Sequence, residues 1–333
     1  MTGVINTTDN TNLIRQEVYS QALLKSLDDW TLGRALYNDR TSEFGDGDEL
    51  LITTTGKRAL QDYIENSPID FSNMDTQRIS LFIDKYYQDG FAVTEKFMQD
   101  SWQYQTFWEE NMNQSLMAFE RQLETDALAV CNNQTLSDPN TIANNAHRRV
   151  GTGSDSGTPS ATDRALAIED FARMSLAFDE ALVPVENRVA IITPFQSFVL
   201  DKLVNVTEVS NGSTFNFDFD GLVQTGFGDK LAVRRNIHGF NLVISHYLPT
   251  VGTETIDAGD STGSLQITGG KACVFMSMAS ATDMPFMGAI RSQPRPEFFN
   301  DMTQTRRDLW SVTGRWGFAI QRPQSLGVIL VSK

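Results

Sequence analysis

The chain has 333 residues, enough for about two domains, and its apolar content of 40% is that of an ordinary globular protein, which excludes wholesale disorder. Its 42 acidic residues outnumber the 27 Lys and Arg, which gives a net charge of -15. A chain of this charge repels phosphate on average, so we exclude a tight, salt-sensitive grip on nucleic acid over its whole surface.

The N-terminal region begins with a polar stretch, residues 1–12, that is rich in Thr and Asn. It lacks the basic region and the apolar run of a signal peptide, and no apolar run in the chain is long enough to span a bilayer. From Leu13 the apolar spacing predicts one or two short helices. Cys131 and Cys273 lie far apart in apolar stretches, which indicates packing residues. We expect a loose arm on a chain that works in a reducing, soluble compartment.

Two segments with the alternation of β-strands flank a long polar stretch. The first, ELLITTT, places Leu50 and Ile52 between polar residues, and the second, RISLFIDKYY, repeats the pattern with Ile79 and Leu81. The stretch between them, residues 56–77, has few residues that can anchor a core. Because long loops without structure are unusual inside a compact domain, we predict a hairpin whose tip lies on a neighbouring subunit.

The longest predicted helix runs from about Ser101 to Cys131, inside a stretch that contains neither Gly nor Pro. Its apolar residues recur every three or four positions, as one face of an α-helix requires. We interpret this face as core packing rather than as a cofactor site. It consists of Trp108, Met112, Leu116, Phe119, Leu123, Ala127 and Val130. The opposite face is polar and is predicted to include Glu109, Asn113, Glu120 and Glu124.

A loop rich in Gly, Ser and Thr, residues 150–163, precedes the next helix. It ends in Ser160-x-x-Asp163, which resembles a capping box, so we expect the helix to begin there. The glycines and serines of the loop match neither a nucleophile elbow nor a phosphate-binding loop. We interpret the loop as a flexible surface connection.

The segment after this helix has the order helix, tight turn and buried strand, which is also the order found around many ligand sites. Apolar residues from Ile168 to Leu182 form one side of the helix, and Pro184 is expected to end it because proline cannot continue a helix. Arg188 closes the polar turn and is expected to bond carboxylates or carbonyls that fix it. Nothing in the turn requires a ligand, so we predict a structural joint.

Beyond Leu203 the chain is rich in strand patterns separated by Gly and Asp turns, and no internal repeat is visible. The order of elements is arm, hairpin, long helix, second helix and then mixed strands. This order is typical of an α+β fold.

The best candidate for a metal site is Asn216-x-Asp218-x-Asp220-Gly221, which matches the first half of a calcium-binding loop. The twelfth position of such a loop needs a bidentate Glu, and Phe227 stands there. The three histidines are too dispersed for a zinc site. We therefore predict no catalytic, cofactor-binding or metal-binding residues, and no enzyme.

The sequence resembles the major capsid proteins of tailed bacteriophages, which have the Hong Kong 97 fold, and the likeness covers nearly the whole chain. The hairpin resembles the extended loop (E-loop) of that family, and the helix from about Ser101 to Cys131 resembles the spine helix of its peripheral domain (P-domain). The stretch AFDEALVPVENRVAIITPFQSFVLDKL is similar to the start of the axial domain (A-domain). The stretches NIHGFNLVISHYLP and GRWGFAIQRPQSLGVILV fit the late strands. Each piece is degenerate alone, and their order makes the match specific.

The resemblance implies five segments, which follow one another in the order found in the family. They are an N-terminal arm (1–40), the E-loop with its flanking strands (41–98), the spine helix and following loop of the P-domain (99–150), the A-domain (151–290), and the returning P-domain strands with a final A-domain strand (291–333).

By this resemblance, copies of the chain form hexamers and pentamers that close an icosahedral shell around double-stranded phage DNA, without sequence-specific binding. It also implies a place in the virion capsid after assembly in the host bacterial cytoplasm, a portal at one vertex, a possible cement protein, no membrane and no cofactor. About forty residues precede the E-loop, too few for a fused scaffolding segment, so we expect a separate scaffolding protein.

The E-loop is expected to contact neighbouring subunits. The candidate residues for these contacts are Lys57, Arg58, Tyr63, Ile64, Ile69 and Phe71. Some relatives join subunits through a Lys–Asn isopeptide bond, but no motif identifies an Asn partner for Lys57, so that chemistry is not carried over. Two other functions stay open: an encapsulin-like compartment around a cargo enzyme, and a metal-dependent hydrolase built on the acidic run at 216–221.

Overall fold

The computed structural model describes residues 31–44, 47–55, 60, 62, 65, 76–100, 104–132, 147–205, 236–257, 263–301 and 306–332. The helices in these ranges are α1 (Glu95–Asp100), α2 (Tyr104–Ala129), α3 (Ile168–Glu180) and α4 (Pro194–Asn205), with short 3-10 helices at Gly33–Leu36, Thr41–Glu43, Val130–Asn132 and Pro323–Ser325. The strands are β1 (Asn38–Asp39), β2 (Glu49–Thr55), β3 (Thr76–Phe82), β4 (Lys85–Thr94), β5 (Arg148–Val150), β6 (Arg188–Ile192), β7 (Asn236–Ile237), β8 (Phe240–Ile244), β9 (Thr250–Asp257), β10 (Ser264–Ser277), β11 (Phe286–Asp301), β12 (Arg307–Ile320) and β13 (Leu326–Val331). Separate helices and mostly antiparallel strands confirm the predicted α+β class.

The larger sheet has seven strands in the order β5-β13-β10-β6-β8-β7, with β9 paired to β10 outside this path. β5 is parallel to β13 and β6 is parallel to β8, and the other neighbours are antiparallel. All residues of β13 are buried. Helix α3 packs on this sheet through aromatic rings, with Phe171 at 5.2 Å from Phe275 and Phe178 at 5.6 Å from Phe240. These contacts bury the apolar side that the sequence predicts for α3.

The smaller sheet has four strands in the order β1-β11-β12-β4, and β1 is parallel to β11. Helix α2 packs on it: the ring of Phe119 lies 6.1 Å from that of Trp316, and Trp316 Nε1 donates a hydrogen bond of 2.9 Å to Asp126. Trp310 and Val312 on the same strand are also buried. The sheet and α2 therefore hide each other's apolar faces.

The predicted long helix is confirmed, because α2 runs over Tyr104–Ala129 and a 3-10 turn at Val130–Asn132 continues it. Most of the predicted apolar face is buried or packs against the core. One residue of the predicted polar face, Glu124, does not follow the prediction. Its predicted place on the polar face is wrong, because this residue is 0% exposed.

The predicted hairpin strands are confirmed, because β2 and β3 form an antiparallel pair that aligns Glu49 with Phe82 and Thr55 with Thr76. The apolar side of this pair packs against β11 in a small separate core. That core consists of Ile79, Leu81, Ile83, Met287 and Ala289. The base of the hairpin is thus attached to the four-stranded sheet.

The predicted capping box at Ser160 and Asp163 is wrong. These two residues pair with each other through backbone hydrogen bonds of 3.1 and 3.2 Å, which form an isolated bridge. The buried Asp170 caps the helix instead, and it accepts hydrogen bonds of 2.9 Å from the amide of Ala167 and from the hydroxyl of Thr152. The Asp170 carboxylate therefore occupies the N-terminus of α3, where the helix dipole favours negative charge.

Cys131 and Cys273 are both free thiols and 0% exposed. They belong to the main core, which confirms their interpretation as packing residues. Burial raises the pKa of each thiol to about 12. Neither side chain therefore has the character of a reactive cysteine.

His147 is a buried histidine whose surroundings favour its neutral form. His147 contacts the carbonyl oxygen of Leu326 through Nδ1 at 3.2 Å, and its ring stacks on Phe178 at 5.8 Å. Burial lowers the pKa of His147 and outweighs the opposite effect of the bond to Leu326. The unfolded chain, in which a histidine has a pKa of about 6.5, therefore takes up this proton more readily than the folded chain does.

We expect the free energy of unfolding to fall as the pH drops below about 6.5, because only the unfolded state then gains the proton. His147→Gln keeps a donor for Leu326 but cannot titrate, so its stability should decline less steeply between pH 7 and pH 5. Urea unfolding of both proteins at a series of pH values measures this slope. Identical slopes for the two proteins would contradict the assignment.

Candidate functional site

The joint between α3 and β6, residues 179–188, begins with an unusual backbone conformation. Helix α3 ends at Glu180, and Leu182 adopts a left-handed φ of 60°. Two backbone hydrogen bonds of 2.9 and 3.0 Å close the last turn as a Schellman motif. The helix therefore ends four residues before Pro184, where the sequence predicted its end, because the left-handed residue has already turned the chain.

Arg188 lies inside the joint with only 1% of its side chain exposed. Its guanidinium donates hydrogen bonds to the carbonyl oxygens of Pro184 at 3.0 Å and Val183 at 2.8 Å. It also donates to the carboxylate of Asp179 at 2.6 Å and to the hydroxyl of Ser175 at 3.3 Å. One side chain thus connects α3, the turn and the first residue of β6.

The geometry of the joint decides which of these contacts matters most. The side chain of Asp179 is 53% exposed, so solvent screens its attraction to Arg188. The hydrogen bond to the Val183 carbonyl is buried and the one to the Pro184 carbonyl is partly buried, so losing the donor leaves the Val183 carbonyl buried without this partner. The guanidinium also lies 5.5 Å from the centre of the Phe178 ring. The arrangement fixes a turn and offers no pair of groups for acid–base chemistry.

The described residues contain little that resembles a chemical site. No group of three or more His, Cys, Asp or Glu comes close enough there to hold a metal ion. An open cavity of about 310 Å³ at the base of the hairpin is lined by Thr41, Phe44, Ile83 and the start of β11, without a carboxylate. The calcium-like run at 216–221 and Phe227 lie outside the described residues. No helix in the described ranges is long and apolar enough to cross a membrane.

The predicted intersubunit residues lie outside the described part of the chain. They are Lys57, Arg58, Tyr63, Ile64, Ile69 and Phe71. The base of their hairpin is described, and it is held by a hydrogen bond of 2.9 Å from the Ile83 amide to the Asp48 carbonyl and by an ion pair of 3.0 Å between Arg315 and Asp48. Gly317 of β12 lies against the backbone of the hairpin, because a Cβ atom there would come within 1.9 Å of the carbonyl oxygen of Phe82.

Large apolar side chains are exposed at both the hairpin and the joint. On the hairpin Leu51 is 55% exposed and Phe82 is 53% exposed. At the joint Leu182 is 77% exposed and Val185 is 65% exposed. Exposed apolar residues grouped in this way are typical of surfaces that contact another protein.

Sequence reasoning missed the buried carboxylate of Glu124. It accepts a hydrogen bond of 2.6 Å from the amide of Leu32 and one of 2.5 Å from the hydroxyl of Ser245. A signal for its burial exists in the sequence, because Leu123, Ala127 and Leu128 surround this position on the helix and are all apolar. The polar partners cannot be found from local spacing, since they are distant in sequence.

Comparison with known proteins gives a family and a fold. A sequence model of a family described as "Phage capsid protein" matches residues 76–329. No curated protein sequence matches the chain.

The chain is also similar to solved phage capsid structures. It resembles the capsid structure of the cyanophage P-SCSP1u with a TM-score of 0.67 and 13% identity, over 99% of this chain and 96% of that one. It resembles the capsid of Ralstonia phage GP4 with a TM-score of 0.61 and 12% identity, over 100% of this chain and 99% of that one. For a chain of Mycobacterium phage Adephagia the TM-score is 0.61 and the identity is 10%, over 98% of each chain. At these identities the likeness shows the fold, and it confirms the predicted Hong Kong 97 architecture.

Proposed function

The chain belongs to the phage capsid protein family, and on that premise we propose that it is the major capsid protein of a tailed phage, many copies of which close an icosahedral shell as hexamers and pentamers. The observation that carries the proposal is the family match over residues 76–329. The exposed apolar residues of the hairpin and of the joint support it, because a shell requires each subunit to bury surface against several others.

We propose that the hairpin tip makes the main contact between neighbours in a capsomer. The apolar residues of the tip sequence include Tyr63, Ile64, Ile69 and Phe71, and Lys57 and Arg58 stand near its start. The described base of the hairpin supports this role, because its inner side is anchored on β11 while Leu51 and Phe82 stay exposed. A tip fixed at its base loses less conformational entropy when it binds a neighbour.

The domain assignment follows the family's order and is likewise a proposal. It takes 1–40 as the N-terminal arm, 41–98 as the E-loop region, 99–150 and the returning strands of 291–333 as the P-domain, and 151–290 as the A-domain. The pairing of β11 with β12, of β12 with β4 and of β13 with β10 supports it, because the late strands return to two different sheets.

The remaining partners are inferred from the family. We propose that a separate scaffolding protein and a portal direct assembly in the host bacterial cytoplasm, with or without a cement protein, and that the shell encloses double-stranded DNA without sequence-specific binding. The net charge of -15 is consistent with a shell that does not bind the DNA tightly, since an acidic inner wall would not trap DNA as it enters. We assign the chain no catalytic role, and the family match favours a phage shell over an encapsulin-like compartment or a hydrolase.

Expression of the chain alone and together with a candidate scaffolding protein tests this function. We expect rings with the mass of five or six chains, or closed shells, in sedimentation and negative-stain electron microscopy. Association of many subunits through exposed apolar patches is the physical reason. A chain that stays monomeric under both conditions would contradict the proposed function.

The same experiment tests the hairpin contacts through charged variants of the tip. Phe71→Asp and Ile69→Asp are expected to abolish or strongly reduce particles, because they place a charge in an apolar interface. Asp70→Asn is the matched control, since it changes a polar residue of the same tip and should still assemble. Normal shells from both Asp variants would contradict the proposal that the hairpin tip contacts a neighbouring subunit.

A further inference from the structure

Glu124 is a buried carboxylate that the proposed contacts between subunits do not use. It lies on α2 between Leu123 and Ala127, and it is 0% exposed. One carboxylate oxygen accepts from the Leu32 amide at 2.6 Å, and the other accepts from the Ser245 hydroxyl at 2.5 Å. Burying a carboxylate is unfavourable unless such bonds compensate, so its position depends on both partners.

The two partners of Glu124 belong to different parts of the molecule. Leu32 lies near the start of the segment 31–37, in which Leu36 and Tyr37 are buried and which enters the core beside α2. Ser245 follows β8 directly, and its amide donates a hydrogen bond of 3.0 Å to the carbonyl of Ile192 at the end of β6. The carboxylate thus stands where the N-terminal segment, α2 and the edge of the seven-stranded sheet meet.

The shared acceptor makes these contacts interdependent. If Ser245 loses its hydroxyl, the carboxylate keeps its burial but has one fewer donor, so it gains by moving toward water. Such a movement weakens its bond to the Leu32 amide, even though Leu32 and Ser245 do not bond each other. Two contacts that share one charged group are expected to be coupled rather than additive.

We propose that Glu124 is a positioning residue that couples the N-terminal segment 31–37 to the end of β8, so that the two move together about α2. The coupling is a property of the single chain. In a shell, the coupling would keep the N-terminal segment and the seven-stranded sheet in a fixed relative position while subunits occupy different positions. This role rests on the proposed function.

Hydrogen exchange of the full-length chain tests the coupling through Ser245→Ala. We expect amide exchange in segment 31–37 to rise by about tenfold, the size expected when a hydrogen bond to a charged group is weakened. A role of Ser245 that is merely local would raise exchange only around residue 245. Glu124→Ala is expected to raise exchange in both places, and Glu124→Gln much less, because the amide side chain can accept from Leu32 and donate to Ser245.

The matched control is Glu120→Ala, one turn earlier on the exposed side of α2, which should change neither region. If Glu124→Ala does not fold, Ser245→Ala and Glu124→Gln decide the result. Unchanged exchange in segment 31–37 of Ser245→Ala overturns the coupling. A wild-type chain that shows the coupling but never assembles contradicts the proposed function and leaves the coupling standing, so the two failures are distinguishable.

Discussion

Replacement of Arg188 by Ala is expected to lower the free energy of unfolding by about 3–5 kcal/mol, the size expected when truncation of a fully buried side chain leaves both a cavity and an unpaired buried acceptor. The reason is not the charge pair with Asp179, which is half exposed and screened. The loss comes mainly from the buried carbonyl of Val183, which is left without this donor, and from the space vacated over Phe178.

Two variants separate these contributions to the stability of the joint. Arg188→Lys keeps the charge but cannot reach several acceptors from one planar group, so we expect a smaller but still clear loss. Asp179→Asn removes only the screened charge and should cost less than about 1 kcal/mol. The order of these losses in free energy of unfolding tests whether the hydrogen bonds to backbone carbonyls contribute more to stability than the ion pair with Asp179.

Urea unfolding of the unassembled chain, followed by tryptophan fluorescence, measures these losses because Trp310 and Trp316 are buried. The matched control is Arg322→Ala, whose side chain is 53% exposed and pairs with Asp283 at 3.5 Å, and which should cost less than about 1 kcal/mol. A loss below about 1 kcal/mol for Arg188→Ala would mean that the Schellman motif holds the turn without Arg188.

Local periodicity in the sequence is sufficient to predict the helices and strands that bury one face. The alternation around Leu50 and Ile79 predicted the hairpin strands, and the spacing of apolar residues predicted α2 close to its observed limits. Both patterns arise because a half-buried strand or helix must place its apolar residues on one side. The pairing of strands that are distant in sequence, such as β5 with β13, has no local signal and was not predicted.

The wrong predictions, which concern the end of α3, its cap and the exposure of Glu124, share a physical cause. The end of α3 at Glu180 depends on a left-handed conformation at Leu182, which leucine rarely adopts, so the local sequence favours Pro184 as the end of the helix. Asp170 caps α3 through the nearby Ala167 amide but also bonds Thr152, and the burial of Glu124 depends on hydrogen bonds with partners that are distant in sequence. Apolar neighbours can indicate that a polar residue is buried, but only the tertiary structure identifies the donors to which it bonds.

The close packing at Gly317 predicts the second large effect, on the attachment of the hairpin. A Cβ atom at this position would lie 1.9 Å from the carbonyl oxygen of Phe82 and 2.8 Å from the Cα of Ile83. Both are backbone atoms, so no side chain can rotate away, and the end of β3 must move away from β12. We expect Gly317→Ala to lower the free energy of unfolding by about 3 kcal/mol, at the upper end of the cost of overpacking.

A displaced hairpin base also changes the direction of the tip, so Gly317→Ala is expected to lose closed shells in electron microscopy as well as stability in urea. Gly252→Ala is the matched control: it adds the same methyl group to a strand glycine, in β9, with no atom within 4 Å, and it should change stability by less than about 1 kcal/mol. Normal shells and an unchanged urea midpoint for Gly317→Ala would show that the hairpin base tolerates the shift. Loss of shells with near-normal stability would instead indicate that assembly depends on the direction of the hairpin more than folding does.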